Sequence, residues 1–72
     1  MIISEPIAVP AGRTATVTVQ GSGATLRCIR LPAVLDLVAA LDDSVPFSVT
    51  AGNGSVYVVT SETAVPVTVQ LN

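Results

Sequence analysis

Few residues in this chain could do chemistry. Cys28 is the single thiol in 72 residues, and there is no histidine and no lysine. A nucleophile needs a base to take its proton, and the usual bases are missing. Alternation along the chain turns neighbouring Arg27 to the face opposite Cys28, where its charge cannot activate the sulfur. A thiol among apolar neighbours then behaves as a small hydrophobe. Asp42, Asp43 and Ser44 offer oxygens to calcium, but the Asp-rich spacing of a calcium loop is absent, so they read as a solvated turn. Gly21-Ser22-Gly23 and Gly52-Asn53-Gly54 lack the lysine and the strand–loop–helix setting of a phosphate loop. They read as hairpin turns. The expectation is a protein that is not an enzyme and holds no cofactor and no metal.

Charged residues make up 11% of the chain and the net charge is −2. Phosphate neutralisation needs several cations on one face. With Arg13, Arg27 and Arg30 as the only ones, no nucleic-acid partner is expected. Guanidinium is planar and permanently charged, which suits it to pairing with acids across an interface. In so weakly charged a chain, these three arginines are candidate interface residues. Thr14, Thr16 and Thr18 form a second candidate, a hydroxyl-bearing strand face with the character to bind ice or a glycan. Sugar sites favour aromatic platforms, and Tyr57 is the one aromatic residue of use, so an ordinary solvated face is the preferred reading.

Size sets the next constraint. A domain this small buries about 60–65% of its unfolded surface and is marginal alone. One cysteine excludes an intrachain disulfide, and zinc would need ligands that are nearly absent. Partner subunits remain. Half the residues are hydrophobic, so a free monomer would expose apolar patches that a neighbour could cover. The start lacks the basic and long apolar segments of a secretory signal. The apolar run from Ala33 to Leu41, interrupted by Asp36, is too short to span a bilayer. A cytoplasmic origin and no membrane are expected.

Thirteen Val, eight Thr and four Ile are strand composition. Residues 13–20 alternate, with Ala15, Val17 and Val19 on one face. Ala24 to Leu31 follows as a strand with Leu26 and Cys28 inward and Arg27, Ile29 and Leu31 opposite. Pro32 suits a first helical turn. Val34, Leu35, Val38 and Leu41 then recur at helical spacing, so the pattern predicts one short α-helix over about 32–42, with Asp36 facing out. Residues 46–51, 55–60 and 65–71 read as further strands, the last placed at an edge by Pro66. The run Val56 to Val59 is apolar on both faces, as in a central strand or one covered by a partner. Val17-Thr18-Val19-Gln20 recurs as Val67-Thr68-Val69-Gln70, an echo read as shared strand chemistry. The class expected is mainly β, a small antiparallel β-sandwich or barrel of five to seven strands with that helix.

Pro6 and Pro10 exclude a helix or central strand from residues 1–12. Two readings stand for this segment. Either it folds as an edge strand onto its own core, or it is an extended arm that orders against a neighbour. The organisation expected is an N-terminal arm over 1–12 and one β-rich domain over 13–72.

The apolar, proline-broken stretch Ile2 to Pro10, the alternating strand 13–20 and the segment 32–42 together resemble small bacteriophage capsid decoration (cement) proteins. The resemblance implies a structural virion protein, made in the host cytoplasm and carried on the capsid surface. It implies a homo-oligomer, commonly a trimer, that binds across neighbouring subunits of a major capsid protein. Ile2, Ile3, Ile7 and Val9 are then implied as shell or neighbour contacts. The competing expectation is a small β-rich binding module that takes a peptide or glycan on a strand edge or the threonine face.

Overall fold

A computed structural model describes residues 1–30, 34–52 and 54–72. Its strands are β1 (Ile2–Ile3), β2 (Ile7–Val9), β3 (Arg13–Val19), β4 (Ala24–Arg30), β5 (Val34–Leu41), β6 (Phe47–Ala51), β7 (Ser55–Ser61) and β8 (Val67–Leu71). They form two antiparallel sheets. One has the order β1-β7-β4-β5, with β2 also on β7; the other is β6-β3-β8. The sheets share one buried core and are not closed into a barrel. The molecule measures 17 Å along its shortest axis.

The three-stranded sheet follows directly from alternation in β3. Ala15, Val17 and Val19 are buried, and Thr14, Thr16 and Thr18 face out. The outer hydroxyls bond across strands: Thr14 Oγ1 lies 2.9 Å from Thr50 Oγ1, and Thr16 Oγ1 lies 3.1 Å from Ser48 Oγ. The repeated tetrapeptides turn out to be ladder neighbours, with Val17 opposite Val69, Thr18 opposite Thr68 and Val19 opposite Val67. Pro66 just precedes β8, an edge strand as its sequence suggests. Gly21, at φ 144°, makes the turn after β3, where an added Cβ would stand 2.8 Å from Val65 Cγ1.

The five-stranded sheet corrects the helix expected over 32–42. Residues Val34–Leu41 form β5, paired with β4, and Pro32 lies outside the described residues. A β-bulge misled the pattern. Leu26 is opposite Ala39 but the next residue, Arg27, is opposite Leu37, so Val38 is an extra residue on β5. One inserted residue shifts the alternation by a position, and over eight residues that shift imitates helical spacing. β-branched Val34 and Val38 and a ready partner in β4 favour the hairpin over a marginal helix. The bulge also changes the place of Asp36: it is half-buried opposite inward-facing Cys28 rather than facing out.

Residues 1–12 contribute strands rather than a free segment. Ile2 and Ile3 pair with Ser61 and Thr60, and residues 7–9 pair with 57–55 along the same edge of β7. The break at Ser4-Glu5-Pro6 is patched by one residue. Ser4 N donates to the Val59 carbonyl at 2.9 Å, and Ser4 Oγ accepts the Val59 N–H at 2.8 Å. A serine hydroxyl thus replaces the main-chain acceptor that proline geometry takes away. β7 is paired on both sides, as its apolar sequence implies.

The core joins Val9, Val17, Val19, Leu26, Leu41, Tyr57 and Val59 from both sheets. Leu26 is fully buried, so Leu26→Ala is expected to lower unfolding free energy by about 2–5 kcal/mol in urea titration; a loss under about 1 kcal/mol would contradict this packing. Ser4→Ala leaves the Val59 N–H without its acceptor and is expected to cost about 1–3 kcal/mol in the same assay. A neutral result would show that the edge strand needs no such patch.

Candidate functional site

The register sorts every strand side chain to an inner or an outer face, and the two outer faces differ in chemistry. On the three-stranded sheet the outer face carries Thr14, Thr16, Thr18, Ser48, Thr50 and Thr68. On the five-stranded sheet, Ile29 is opposite Val56 and Leu35, and Arg27 is opposite Val58 and Leu37. Leu37 is 64% exposed, and Val38, displaced by the bulge, is exposed beside it. Val58 is only 2% exposed although it faces outward, so neighbouring side chains already crowd over it. Among the described strand residues, Arg27 is the only charged one placed on this face. The arrangement is a largely apolar sheet face with a single cation near its middle.

The residues singled out from sequence do not gather into one patch. Val9, 2% exposed, belongs to this chain's own core, and Ile7 is half-buried against it. Ile2 and Ile3 are exposed on the outer strand of the sheet. Arg13 is exposed at the start of β3, with its Nε donating to the main-chain oxygen of Asn72. Arg27 is half-buried, and its Nη1 donates to the Leu35 carbonyl at 3.3 Å. Arg30 ends β4 opposite Val34. Ile3 and Arg27 therefore share the outer apolar face, and Arg13 belongs to the other sheet. Leu35, Leu37 and Val38, which dominate that face, were hidden by the helical reading. The apolar content of both faces of 24–31 and 56–59 was the available signal.

The remaining chemical candidates have structural roles. Cys28 is half-buried against the core. Asp43 Oδ1 accepts the Gly21 N–H at 2.9 Å, and Ser44 N donates to the Val19 carbonyl at 2.8 Å, so this acidic turn is tied to the end of β3. Among the described residues no three His, Cys, Asp or Glu side chains are placed to hold a metal ion.

A second surface lies at the open side between the sheets. A groove of about 490 Å³ runs between residues 4–8 and the inner face of β8, where Val67, Val69 and Leu71 stand. These side chains point the same way as the buried row of β3, yet Val69 is 38% and Leu71 47% exposed. The opposite sheet does not reach over them.

Comparison with known proteins gives no matching family model, no matching curated protein and no matching solved structure.

If the outer apolar face serves a partner rather than folding, Leu37→Ser should change stability by no more than about 0.5 kcal/mol. Leu41→Ala, on the buried side of the same strand, should cost about 2–5 kcal/mol. Equal losses in urea titration would show that Leu37 is needed for the fold itself.

Proposed function

We propose that this chain is a structural, non-catalytic assembly protein that docks the outer face of its five-stranded sheet onto a larger protein shell. The observation that carries the reading is the pair of exposed side chains Leu37 and Val38, continued by half-buried Ile29 and Leu35 around Arg27. Such a face loses little by leaving water, and the half-buried guanidinium has further donors for a carboxylate or carbonyl on the partner. The threonine face, with its hydroxyls bonded to one another, stays toward solvent. On this reading the two layers form an open β-sandwich, one side wet and one side covered.

The resemblance to capsid decoration proteins supplies the kind of partner. The chain would sit on the capsid surface of a virion, self-associated and bridging neighbouring subunits of a major capsid protein. With Val9 in the core and Ile7 against it, contacts from the N-terminal segment fall to Ile3, at the rim of the same face, and to exposed Ile2 beside it on the edge strand. Shell attachment then depends on burial of apolar surface, with affinity raised by many copies acting together.

The groove at the open side favours the second reading, a binding module for a peptide. The two separate in one experiment. Capsid shells stripped of this protein are mixed with wild type or with Leu37→Asp, then sedimented and heated. Wild type is expected to pellet with the shells and raise their disruption temperature, and Leu37→Asp to lose at least about tenfold in binding while keeping its fold by circular dichroism. Undiminished binding by Leu37→Asp would remove the apolar face from the account. A wild-type protein that ignores shells yet binds peptides would favour the module.

A further inference from the structure

We infer that β8 is a self-pairing edge: two copies of the chain join antiparallel through β8, centred on Val69, to make one continuous six-stranded sheet. This deepens the structural reading above by naming the contact between copies. It rests on that reading only for its purpose, not for its geometry.

The hydrogen-bond phase of β8 is fixed at both ends. Asn72 N donates to the Thr14 carbonyl at 2.9 Å and Gln20 N to the Pro66 carbonyl at 3.0 Å. Main-chain groups alternate sides along an antiparallel strand, so Thr68 and Gln70 bond to β3. Val67, Val69 and Leu71 turn their N–H and C=O to the open side. Among the described residues no strand pairs with β8 there.

Edges left open in natural sheets carry protection such as proline, charge, bulges or shortness. The two edges of the wider sheet have such devices. The β1–β2 edge is broken at Glu5-Pro6, and β5 carries the bulge at Val38 and the charge of Asp36. In the narrower sheet, β6 follows directly on Pro46 as β8 does on Pro66, and neither strand carries charge or a bulge. β8 is Val-Thr-Val-Gln-Leu, without charge, proline or bulge.

A second copy fits this edge for three reasons. The strand already pairs antiparallel with a repeat of its own sequence, Val-Thr-Val of β3 against Val-Thr-Val of β8. Centring a dyad on Val69 places Val67 opposite Leu71 of the second copy, so every outward main-chain group finds a partner. No charge meets a like charge, because β8 holds none. A twofold axis normal to the sheet also keeps faces matched: the apolar row Val67, Val69, Leu71 continues inward and the Thr68, Gln70 row outward. The second strand then lies beside the groove lined by residues 4–8, where the opposite sheet does not reach over β8.

Area sets the strength. A strand of five residues runs about 17 Å, and one strand pair buries well below the ~1,200 Å² of a stable interface. The dimer is therefore weak and concentration-dependent in solution, and is reinforced when both copies sit on one shell.

Sedimentation equilibrium over a wide concentration range tests this with wild type, Val69→Pro and Val69→Lys. Proline at 69 removes an N–H that the chain itself does not use, and lysine sets two like charges on the dyad. Wild type is expected to show a monomer–dimer equilibrium, and each variant to associate about tenfold or more weakly with an unchanged β spectrum. Should Val69→Pro fail to fold, Val69→Lys decides alone. Wild-type protein that stays monomeric throughout, or a folded variant that dimerises as wild type does, overturns the proposal. Loss of shell binding in these variants with wild type monomeric would assign the edge to a strand of the shell partner, which also overturns it. Leu37→Asp is expected to dimerise normally, so a failure of the apolar face and a failure of the β8 edge give different results.

Discussion

The structure is governed by a shortage of polar surface. Two sheets on one shared core have four faces, and the two inner ones account for that core. Each outer face must meet water or another protein. The sequence holds few charged side chains, and its hydroxyls on β3, β6 and β8 are concentrated on one outer face. The other carries isoleucine, leucine and valine around Arg27, with Thr25 and Thr60 toward one end. Burial of apolar area contributes roughly 25 cal/mol per Å², so an uncovered face of this kind is a standing driving force for association.

The same shortage explains details that otherwise look unrelated. Where proline interrupts the outer strand, a serine hydroxyl restores the lost ladder contact. Where the acidic turn after β5 meets β3, the carboxylate of Asp43 is used to hold a backbone N–H. The few polar groups at these breaks satisfy the main chain, which leaves little to cover the outer face of the wider sheet. The wider sheet also stops short of β8, whose inner face is left partly uncovered at that side.

Much of this was legible in the sequence. Strict alternation in 13–20, 46–51 and 65–71, with glycine turns between segments, locates β3, β6 and β8 and assigns their faces. The apolar run at 56–59 correctly marks β7 as central. Legibility failed at β5, where an extra residue at Val38 broke the period of two and Val34, Leu35, Val38 and Leu41 took on the spacing of a helix. Pattern alone cannot separate a bulged strand from a short amphipathic helix; only the pairing with β4 does. The N-terminal segment stood between two readings, an edge strand on its own core and an arm. Its prolines forbid a central strand, but the partnership of Ser4 with Val59 spans 55 residues of sequence and leaves no local trace. The candidate surface was half visible, as apolar residues on both faces of β4 and β7, while Leu37 and Val38 were concealed by the helical reading. The echo of Val-Thr-Val-Gln was visible, but its meaning as a ladder pair was not.

The most direct test of the central claim is side-chain accessibility in the assembled state. Methyl-labelled protein mixed with the capsid shells of the proposed assembly would be exposed to a soluble paramagnetic agent, and relaxation compared between the two outer faces. The account predicts that the methyls of Ile29, Leu35 and Leu37 are shielded relative to the free chain, while those of Thr14, Thr16 and Thr18 stay accessible. Shielded threonines with an exposed leucine face would contradict it.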